Sequence, residues 1–293
     1  MATPAGSLRI AVGIITMGRA PVLAETLRDL AGQTRRADRV LVCGTGAADV
    51  PEVADGIEVS FAPPGTSLQR NRLIEAADDC DLLVFFDDDF IAEPAYLAAT
   101  EAAFLADPAL VVSTGSVLAD GIKGPGITAD AARGLIAAAP PVAHAEPMPA
   151  YNGYGCNMAV RLETVRRHGA RFDEAMRYYG WYEDIDFTRQ VGRHGRIMTL
   201  PAARGVHLGT KAGRGSGVRL GYAQVMNPIH LARKGTYHWG RALRSLGRHI
   251  AINLLRSAWP EPWIDRAGRF RGNMIALRDV LLGRIDPARV GLL

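Results

Sequence analysis

The sequence predicts an α/β protein with an open, mostly parallel sheet, helices on both of its faces and a helical extension at the C-terminus. Over about the first two hundred residues, short apolar segments alternate with segments of helical periodicity. The segment at residues 82–86 is apolar throughout, as expected for a strand that is buried on both faces. After residue 215 the pattern is helical only.

The predicted elements follow one another as β-α units. Strands are predicted at residues 8–16, 39–43, 57–61, 82–86 and 110–115, and turn residues bound most of them. Helices are predicted from near Pro21, which suits a first helical turn, at residues 67–77 and 93–106, and from Glu183-Asp184, which open the helix, through Arg193. The Ala/Pro-rich stretch at residues 137–149 is interpreted as a surface connection.

Length and composition indicate an ordinary globular enzyme. The chain has 293 residues, 48% of them apolar, which excludes a disordered chain. We expect a catalytic domain at residues 1–215 and a basic helical region at residues 216–293. The three cysteines, Cys43, Cys80 and Cys156, are expected to be buried thiols. A scattered, odd set of cysteines and a start without a signal-peptide pattern predict a cytoplasmic protein, and no apolar run is long enough to span a bilayer.

Charge is distributed unevenly along the chain. Residues 1–203 hold 18 Lys/Arg and 26 Asp/Glu, whereas residues 204–293 hold 16 and 4. A basic C-terminal segment indicates a surface for lipid headgroups, lipid-linked phosphate or nucleic acid, or simply a solvated helical face. In residues 241–259 the helical pattern places one apolar face opposite one basic face: Leu243, Leu246, Ile250 and Leu254 against Arg241, Arg244 and Arg248.

Three adjacent carboxylates, Asp87, Asp88 and Asp89, follow the buried strand. Like charges at this spacing repel by about 1 kcal/mol per pair even in water, so a compensating charge is expected. In an extended chain Asp87 and Asp89 lie on the same side, where a divalent cation could bind both. The alternatives are a helix cap or a solvated acidic loop. The position favours a site, because ligands of open α/β sheets gather at the carboxyl ends of the strands.

Several segments resemble the GT-A glycosyltransferases often called family 2. Residues 14–19, IITMGR, are similar to the family's I-P-T-x-N-R, and residues 65–71, GTSLQRN, are similar to its G-x-x-x-A-R-N. The D-x-D motif follows at the same point, and the resemblance covers most of residues 8–210. It implies a GT-A fold, a nucleoside-diphosphate sugar as donor and Mn²⁺ or Mg²⁺ as cofactor. It further implies that Asp89 binds the metal and that the donor contacts Thr16, Arg19, Arg70, Asp87 and Asp88.

A second group of acids follows an aromatic segment. Residues 155–161 and 183–189 resemble the family's G-x-N-x-A-x-R and E-D-x-D-x-x-x-R, in which the acid corresponding to Asp184 is the general base. The alternative is an ordinary pair of acids at a helix N-terminus. Sugars stack on aromatic rings, so the acceptor is expected to contact Trp181 and Tyr182. Asn157 and Glu183, the polar residues of the two motifs, complete the predicted acceptor site.

His207 lies 23 residues after Asp184, in a segment similar to the family's P-x-x-x-V-x-H. The resemblance implies that its imidazole is a metal ligand. The loop at residues 211–217 is basic and glycine-spaced but lacks a G-K-[ST] sequence, so it is either a lid over the diphosphate or a plain linker.

One departure from the family leaves the nucleotide open. Where family members carry an acidic D-D-G-S-like turn, this chain has Cys43-Gly44-Thr45-Gly46. The predicted function is an inverting, metal-dependent transfer of a sugar from a UDP- or dTDP-sugar to a glycan or lipid-linked hydroxyl, in cell-surface or exopolysaccharide synthesis. The rivals are a sugar-phosphate nucleotidyltransferase, whose G-G-x-G-T-R loop is missing here, and a basic nucleic-acid-binding or scaffold protein. We expect no nucleic-acid partner, because that class leaves the acids and His207 unexplained.

Overall fold

The computed structural model describes residues 6–52, 56–142, 146–178, 180–211, 215–259 and 261–293. Within them, nine strands form one sheet: β1 Ile10–Ile15, β2 Arg39–Gly44, β3 Ile57–Phe61, β4 Leu82–Asp87, β5 Phe90–Ala92, β6 Leu110–Asp120, β7 Met148–Pro149, β8 Asn157–Arg161 and β9 Arg196–His207. The helices are α1 Ala20–Ala31, α2 Thr66–Ala76, α3 Tyr96–Ala106, α4 Ala129–Ala138, α5 Leu162–His168, α6 Glu183–Val191, α7 Gly217–Lys234, α8 Trp239–Ser257 and α9 Arg266–Leu281.

The sheet has the order β3-β2-β1-β4-β8-β6-β9-β5, and β7 pairs with β9. The first four strands in this order are parallel to one another, as is β6 to β9, while β8 runs antiparallel to both β4 and β6. The short strand β5 runs antiparallel to β9. The predicted α/β sheet with C-terminal helices is therefore confirmed.

The core lies around β1 and β4, because both strands are apolar and almost wholly buried. Their register pairs Ile15 with Asp87, so both strands end at the same edge of the sheet. The acidic residues after β4 are consequently held on a rigid strand end beside the segment that follows β1. Two of the cysteines, Cys43 and Cys156, also lie on or beside these central strands, and all three are buried and form no disulfide within the described residues.

Three details differ from the sequence prediction. The helix expected at residues 93–106 begins at Tyr96, since Glu93 and Pro94 belong to the turn after β5. Strand β6 continues past Gly115 to Asp120 because it pairs with β9 along its whole length. In the stretch at residues 137–149, α4 extends to Ala138 and β7 occupies Met148–Pro149, while residues 143–145 lie outside the described residues.

The chain folds into two compact units. The first comprises Met1–Pro63, Gln69–Arg171 and Gln190–Gly213, and the second comprises Pro64–Leu68, Phe172–Arg189 and Arg214–Leu293. The second unit thus groups α6 with the C-terminal helices. The division at residue 215 that the sequence predicts stays a prediction. Among the described residues, no helix is both long and apolar enough to cross a membrane.

The second unit has its own core between α7, α8 and α9. Tyr222, Val225 and Met226 of α7 are buried there, and Leu246 and Ile250 of α8 pack against them. A buried amide network joins the three helices, since Asn253 Nδ2 donates to Gln224 Oε1 and to Asn273 Oδ1, both at 2.9 Å.

The apolar face predicted for α8 is therefore split by the structure. Leu246 and Ile250 join the core, whereas Leu243 and Leu254 are 56% and 52% exposed. The reason is that α7 and α9 cover only part of the apolar side of α8, so the leucines beyond their reach stay in contact with solvent.

Candidate active site

The acidic residues at the end of β4 are largely buried. Asp88 and Asp89 form the turn between β4 and β5 and are 0% and 2% exposed. Asp88 Oδ2 accepts a hydrogen bond from Thr16 Oγ1 at 2.7 Å, and its Oδ1 lies 2.7 Å from the Arg19 guanidinium. The residues predicted to contact the donor after β1 are thus in direct contact with the acidic turn.

Asp87, Asp89 and His207 form a cluster in which one ligand atom of each lies within 4.8 Å of the others. The strand pairing produces this arrangement, because Phe90 of β5 is the cross-strand partner of His207 at the end of β9. The Asp89 carboxylate is further fixed by the Thr210 N–H, which donates to Oδ2 at 2.8 Å. Two carboxylates and one imidazole are a donor set that suits a divalent cation such as Mn²⁺ or Mg²⁺.

Asp120, which was not among the predicted site residues, contacts the other side of the His207 ring. Asp120 is the cross-strand partner of His207, and its Oδ1 accepts from His207 Nδ1 at 2.9 Å. Tyr154 donates from its hydroxyl to Asp120 Oδ2 at 3.0 Å. A carboxylate on one imidazole nitrogen leaves the other nitrogen free to face the Asp87–Asp89 side, an arrangement that is common in metal sites. The sequence signal for Asp120 is an acid followed by glycine at the end of a strand. This signal was not recognised, because β6 was predicted to end at Gly115 and so left Asp120 outside the strand.

Two glycines permit the strand ends to approach this closely. A Cβ atom on Gly121 would lie 2.0 Å from the Leu208 carbonyl oxygen, and one on Gly209 would lie 2.2 Å from the Gly121 carbonyl carbon. Gly209 also has a φ of +64°, which disfavours any side chain. Gly121, directly after Asp120, and Gly209, two residues after His207, therefore have to be small.

The electrostatics of the cluster call for positive charge. His207 Nε2 lies 3.4 Å from Asp89 Oδ1. Burial of the imidazole lowers its pKa, but the hydrogen bonds to Asp120 and Asp89 outweigh burial and raise the pKa to about 10. Burial, together with the neighbouring Asp89, raises the pKa of Asp88, although Arg19 opposes this effect. Without a metal, a proton on His207 therefore supplies the charge that the carboxylates require.

Arg70 lies beside the same cluster and is buried. Its guanidinium contacts Asp87 Oδ1 and the Gly155 carbonyl oxygen, both at 3.0 Å, and the residue is 3% exposed. The preceding Gln69 donates to the Thr16 and Cys43 carbonyl oxygens, which ties α2 to the ends of β1 and β2. A planar guanidinium held in this way is suited to phosphate oxygens.

Asn157 is fully buried on β8, where it pairs with Phe86 of β4. Thr114 donates to its Oδ1 at 3.1 Å, and Tyr96 donates to its backbone carbonyl oxygen at 2.9 Å. The Asn157 Nδ2 group has no acceptor among the described residues. A buried amide without an acceptor costs about 1–3 kcal/mol, so a ligand oxygen would be a favourable partner.

A further acid supports the loops after β1 and β2. The Asp49 carboxylate is 8% exposed and accepts from the backbone N–H groups of Gly18 at 2.7 Å and Thr45 at 2.7 Å, and of Gly46 at 3.2 Å. Burial alone raises its pKa, but these hydrogen bonds and that from the Thr45 hydroxyl hold the pKa below its usual value. Asp49 was not predicted as a site residue, since it lies in a short 3₁₀ helix, Ala47–Asp49, that carries no motif.

The predicted acceptor and base residues lie in the second unit, except for Asn157. Helix α6 begins at Glu183, which is 7% exposed, and the Asp184 side chain is half-buried. The rings of Trp181 and Tyr182 stack with centroids 5.2 Å apart, and the Tyr182 hydroxyl is 2.6 Å from Ser245 Oγ. Tyr182 has a φ of +77°, and such strained residues cluster at functional sites.

Helix α6 is anchored to α7 through a buried carboxylate. Asp186 is 0% exposed, and its two oxygens accept from Lys234 Nζ and from Thr236 Oγ1, each at 2.6 Å. Lys234 also contacts Asp173, which accepts from His230 Nε2 at 2.9 Å when that nitrogen is protonated. The start of α6, where Asp184 lies, is held in place by these ion pairs.

No family model matches the chain, and no curated protein matches it in sequence. Solved structures do match its fold. A mannosyltransferase, PcManGT from Pyrobaculum calidifontis, in complex with GDP-Man and Mn²⁺, is 15% identical, with a TM-score of 0.55 over 95% of this chain and 90% of that one. The TarS 1-349 structure from S. aureus is 16% identical, with a TM-score of 0.57 over 97% and 82%. GalNAc-T7 with UDP, GalNAc and Mn²⁺ is 13% identical, with a TM-score of 0.59 over 95% and 57%.

These similarities show that the chain has the GT-A fold of glycosyltransferases, as the sequence predicted. Membership of family 2 in particular stays a prediction, as do the roles of the individual site residues.

Proposed function

We propose that this protein is a metal-dependent glycosyltransferase that moves a sugar from a nucleoside diphosphate to an acceptor hydroxyl. The cluster of Asp87, Asp89 and His207 at the sheet edge of a GT-A fold is the observation that carries the proposal. The similar structures support it, since PcManGT was solved with GDP-Man and Mn²⁺ and GalNAc-T7 with UDP and Mn²⁺.

The residues present fit a divalent cation. Asp89 and His207 would hold it, with Asp87 close by, and the Asp120 carboxylate would keep His207 Nε2 available as a ligand. When bound, Mn²⁺ or Mg²⁺ stabilises the negative charge that develops on a departing diphosphate. The raised pKa of His207 reflects the same demand for positive charge.

The donor is assigned to the residues at the ends of β1 and β4. Arg70 and Arg19, now paired with Asp87 and Asp88, are the cations available to phosphate oxygens. Thr16 and Arg19 hold the Asp88 carboxylate, which would accept a sugar or ribose hydroxyl. UDP- and dTDP-sugars are the proposed donors.

Asp184 is the proposed general base, which would remove the proton from the attacking acceptor hydroxyl. The hydroxyl oxygen would form a new C–O bond to the sugar while the C–O bond between the sugar and the diphosphate breaks. Direct displacement of this kind inverts the anomeric centre. Trp181 and Tyr182 would stack on a sugar ring, and Glu183 and the Asn157 Nδ2 group, which has no acceptor within the described part of the chain, would bind sugar hydroxyls. The proposed acceptor is a glycan or a lipid-linked sugar, and the reaction is placed in polysaccharide synthesis on the cytoplasmic side of the cell membrane.

A screen of nucleoside-diphosphate sugars with and without Mn²⁺ tests the proposal. We expect one donor to raise the melting temperature and to be hydrolysed slowly, both only when metal is present. The variant His207→Ala should lose both effects, whereas His194→Ala, at an exposed histidine, should keep them. Release of pyrophosphate from a nucleoside triphosphate and a sugar phosphate would instead identify a nucleotidyltransferase. The absence of any metal-dependent donor would refute the proposal.

A further inference from the structure

Helix α8 presents an exposed apolar face. Leu243, Gly247, Ala251, Leu254 and Ala258 recur every three or four positions from the first turn of α8 to the residue after it, and all are exposed. Residues at this spacing lie along one side of a helix. The opposite side is already packed, because Leu246 and Ile250 join the core of the second unit and Asn253 is bonded to α7 and α9. Folding of the second unit therefore does not require leucines on the exposed side.

Large apolar side chains are concentrated at this face and its C-terminal end. Leu255 is 64% exposed and Trp259 is 70% exposed, and Leu243 and Leu254 are each more than half exposed. Isolated exposed apolar residues are ordinary, but a contiguous group of this kind marks an interaction surface.

Arginines border the apolar residues along the same helix. Arg244 and Arg248 are one turn apart and exposed, and neither lies in a salt bridge with a carboxylate within the described part of the chain. The sequence contains no aspartate or glutamate between Asp186 and Glu261. The face is consequently apolar and cationic, with no acidic residue on α8 to offset its charge.

We propose that this surface, named the α8 outer face and consisting of Leu243, Arg244, Arg248, Leu254, Leu255 and Trp259, lies on an anionic lipid bilayer. A helix of 19 residues is about 28 Å long and would lie in the plane of the headgroups. Its leucines enter the apolar boundary, its arginines bind headgroup phosphates, and Trp259 sits at the interface, where tryptophan is favoured. A nucleic acid would account for the charge but not for the exposed leucines beside it.

Vesicle flotation tests this proposal with the full chain and without metal or sugar nucleotide, so the outcome is independent of the proposed transferase reaction. We expect binding to vesicles of phosphatidylcholine with phosphatidylglycerol, weaker binding to phosphatidylcholine alone, and a fall in binding as salt increases. The variant R244S/R248S should weaken binding to the anionic vesicles about 25-fold, because each arginine near such a surface contributes roughly fivefold.

The apolar contribution is tested separately. The variant L243S/L254S/L255S should weaken binding at least about tenfold. Matched controls with exposed residues of the first unit, L105S/L135S and R36S/R167S, should bind as the wild type does. Brominated lipids should quench tryptophan emission, and Trp259→Phe should remove most of that quenching. The melting temperature of each variant is measured as well, because an unchanged value shows that weaker binding does not come from a loss of folding.

Three results would overturn the proposal. The first is no binding to anionic vesicles at low salt. The second is binding that depends on Arg244 and Arg248 but not on the leucines, which would mean charge attraction alone. The third is a wild-type dimer that L243S/L254S/L255S converts to a monomer without any vesicle binding, which would show that a second copy covers the α8 outer face.

Discussion

Asp120 Oδ1 and His207 Nδ1 lie 2.9 Å apart at the ends of two adjacent parallel strands. This contact determines which imidazole nitrogen faces Asp89, and so it determines whether His207 can act as a ligand at all. Tyr154 and the small residues Gly121 and Gly209 maintain the contact. Asp120 is accordingly a positioning residue of the candidate metal centre.

Replacement of Asp120 by alanine should raise the Kd for Mn²⁺ by about 10- to 100-fold, because the His207 ring loses the group that orients it. Asp120→Asn should have a smaller effect, since an amide oxygen can still accept the Nδ1–H hydrogen bond. Calorimetric titration with Mn²⁺ measures both. Asp130→Ala, at a fully solvated aspartate, is the control. Equal affinity in all four proteins would contradict the role given to Asp120.

Replacement of His207 by alanine should abolish stabilisation by metal. A ligand at 100 times its Kd stabilises the native state by about 2.7 kcal/mol, so the wild type should show a clear rise in melting temperature with Mn²⁺. His207→Ala should show little or none, and His194→Ala should behave as the wild type does. An identical rise in His207→Ala would place the ion elsewhere.

Replacement of Asp184 by asparagine should leave donor binding intact and lower kcat by about 10²- to 10⁴-fold, the usual contribution of a general base. The Kd for the donor and the rate of transfer to an acceptor are measured separately. Glu163→Gln, at an exposed acid of α5, is the matched control. Full turnover by Asp184→Asn would assign the base to another residue.

Replacement of Asp49 by alanine should lower the free energy of unfolding by at least about 2 kcal/mol. The change leaves the N–H groups of Gly18, Thr45 and Gly46 without their acceptor in a half-buried setting. Nucleotide affinity should fall as well, because Gly18 precedes Arg19. Urea denaturation gives the first quantity and UDP titration the second. A stable variant with normal affinity would show that Asp49 is dispensable.

The ion pairs around Asp173 should make stability depend on pH. The hydrogen bond from His230 and the contact with Lys234 hold the pKa of Asp173 below its usual value. A carboxyl whose pKa is lowered by folding contributes stability above its unfolded pKa of about 3.9, and this contribution is lost as the pH falls through the folded value. The free energy of unfolding should therefore fall more steeply below about pH 4 in the wild type than in Asp173→Asn. Parallel curves for the two proteins would disprove this account.

Much of the fold follows from local sequence patterns. The strand over Ile57–Phe61 has the predicted bounds, and β4 is the buried central strand that its uninterrupted apolar run indicates. These elements were predictable because period-two patterns, apolar runs and turn residues act over a few positions. Strand β6 was predicted too short, since its second half is held by pairing with β9 and not by its own composition.

The residues of the candidate site likewise fall into those that local sequence predicts and those that only the fold reveals. Asp87, Asp89 and His207 could be selected from motifs because a metal site needs specific residue types, whereas Asp120 and Asp49 carry no motif and act through partners far away in the sequence.

The sequence by itself determined the alternation of strands and helices, the acidic turn after the apolar strand and the concentration of basic residues near the C-terminus, because each is a property of neighbouring residues. Only the tertiary structure decided that Asp120 orients His207 and that Leu243 and Leu254 remain exposed while Leu246 and Ile250 are buried. Strand register and the arc of a helix that its neighbours cover depend on contacts between distant parts of the chain, which no local pattern encodes.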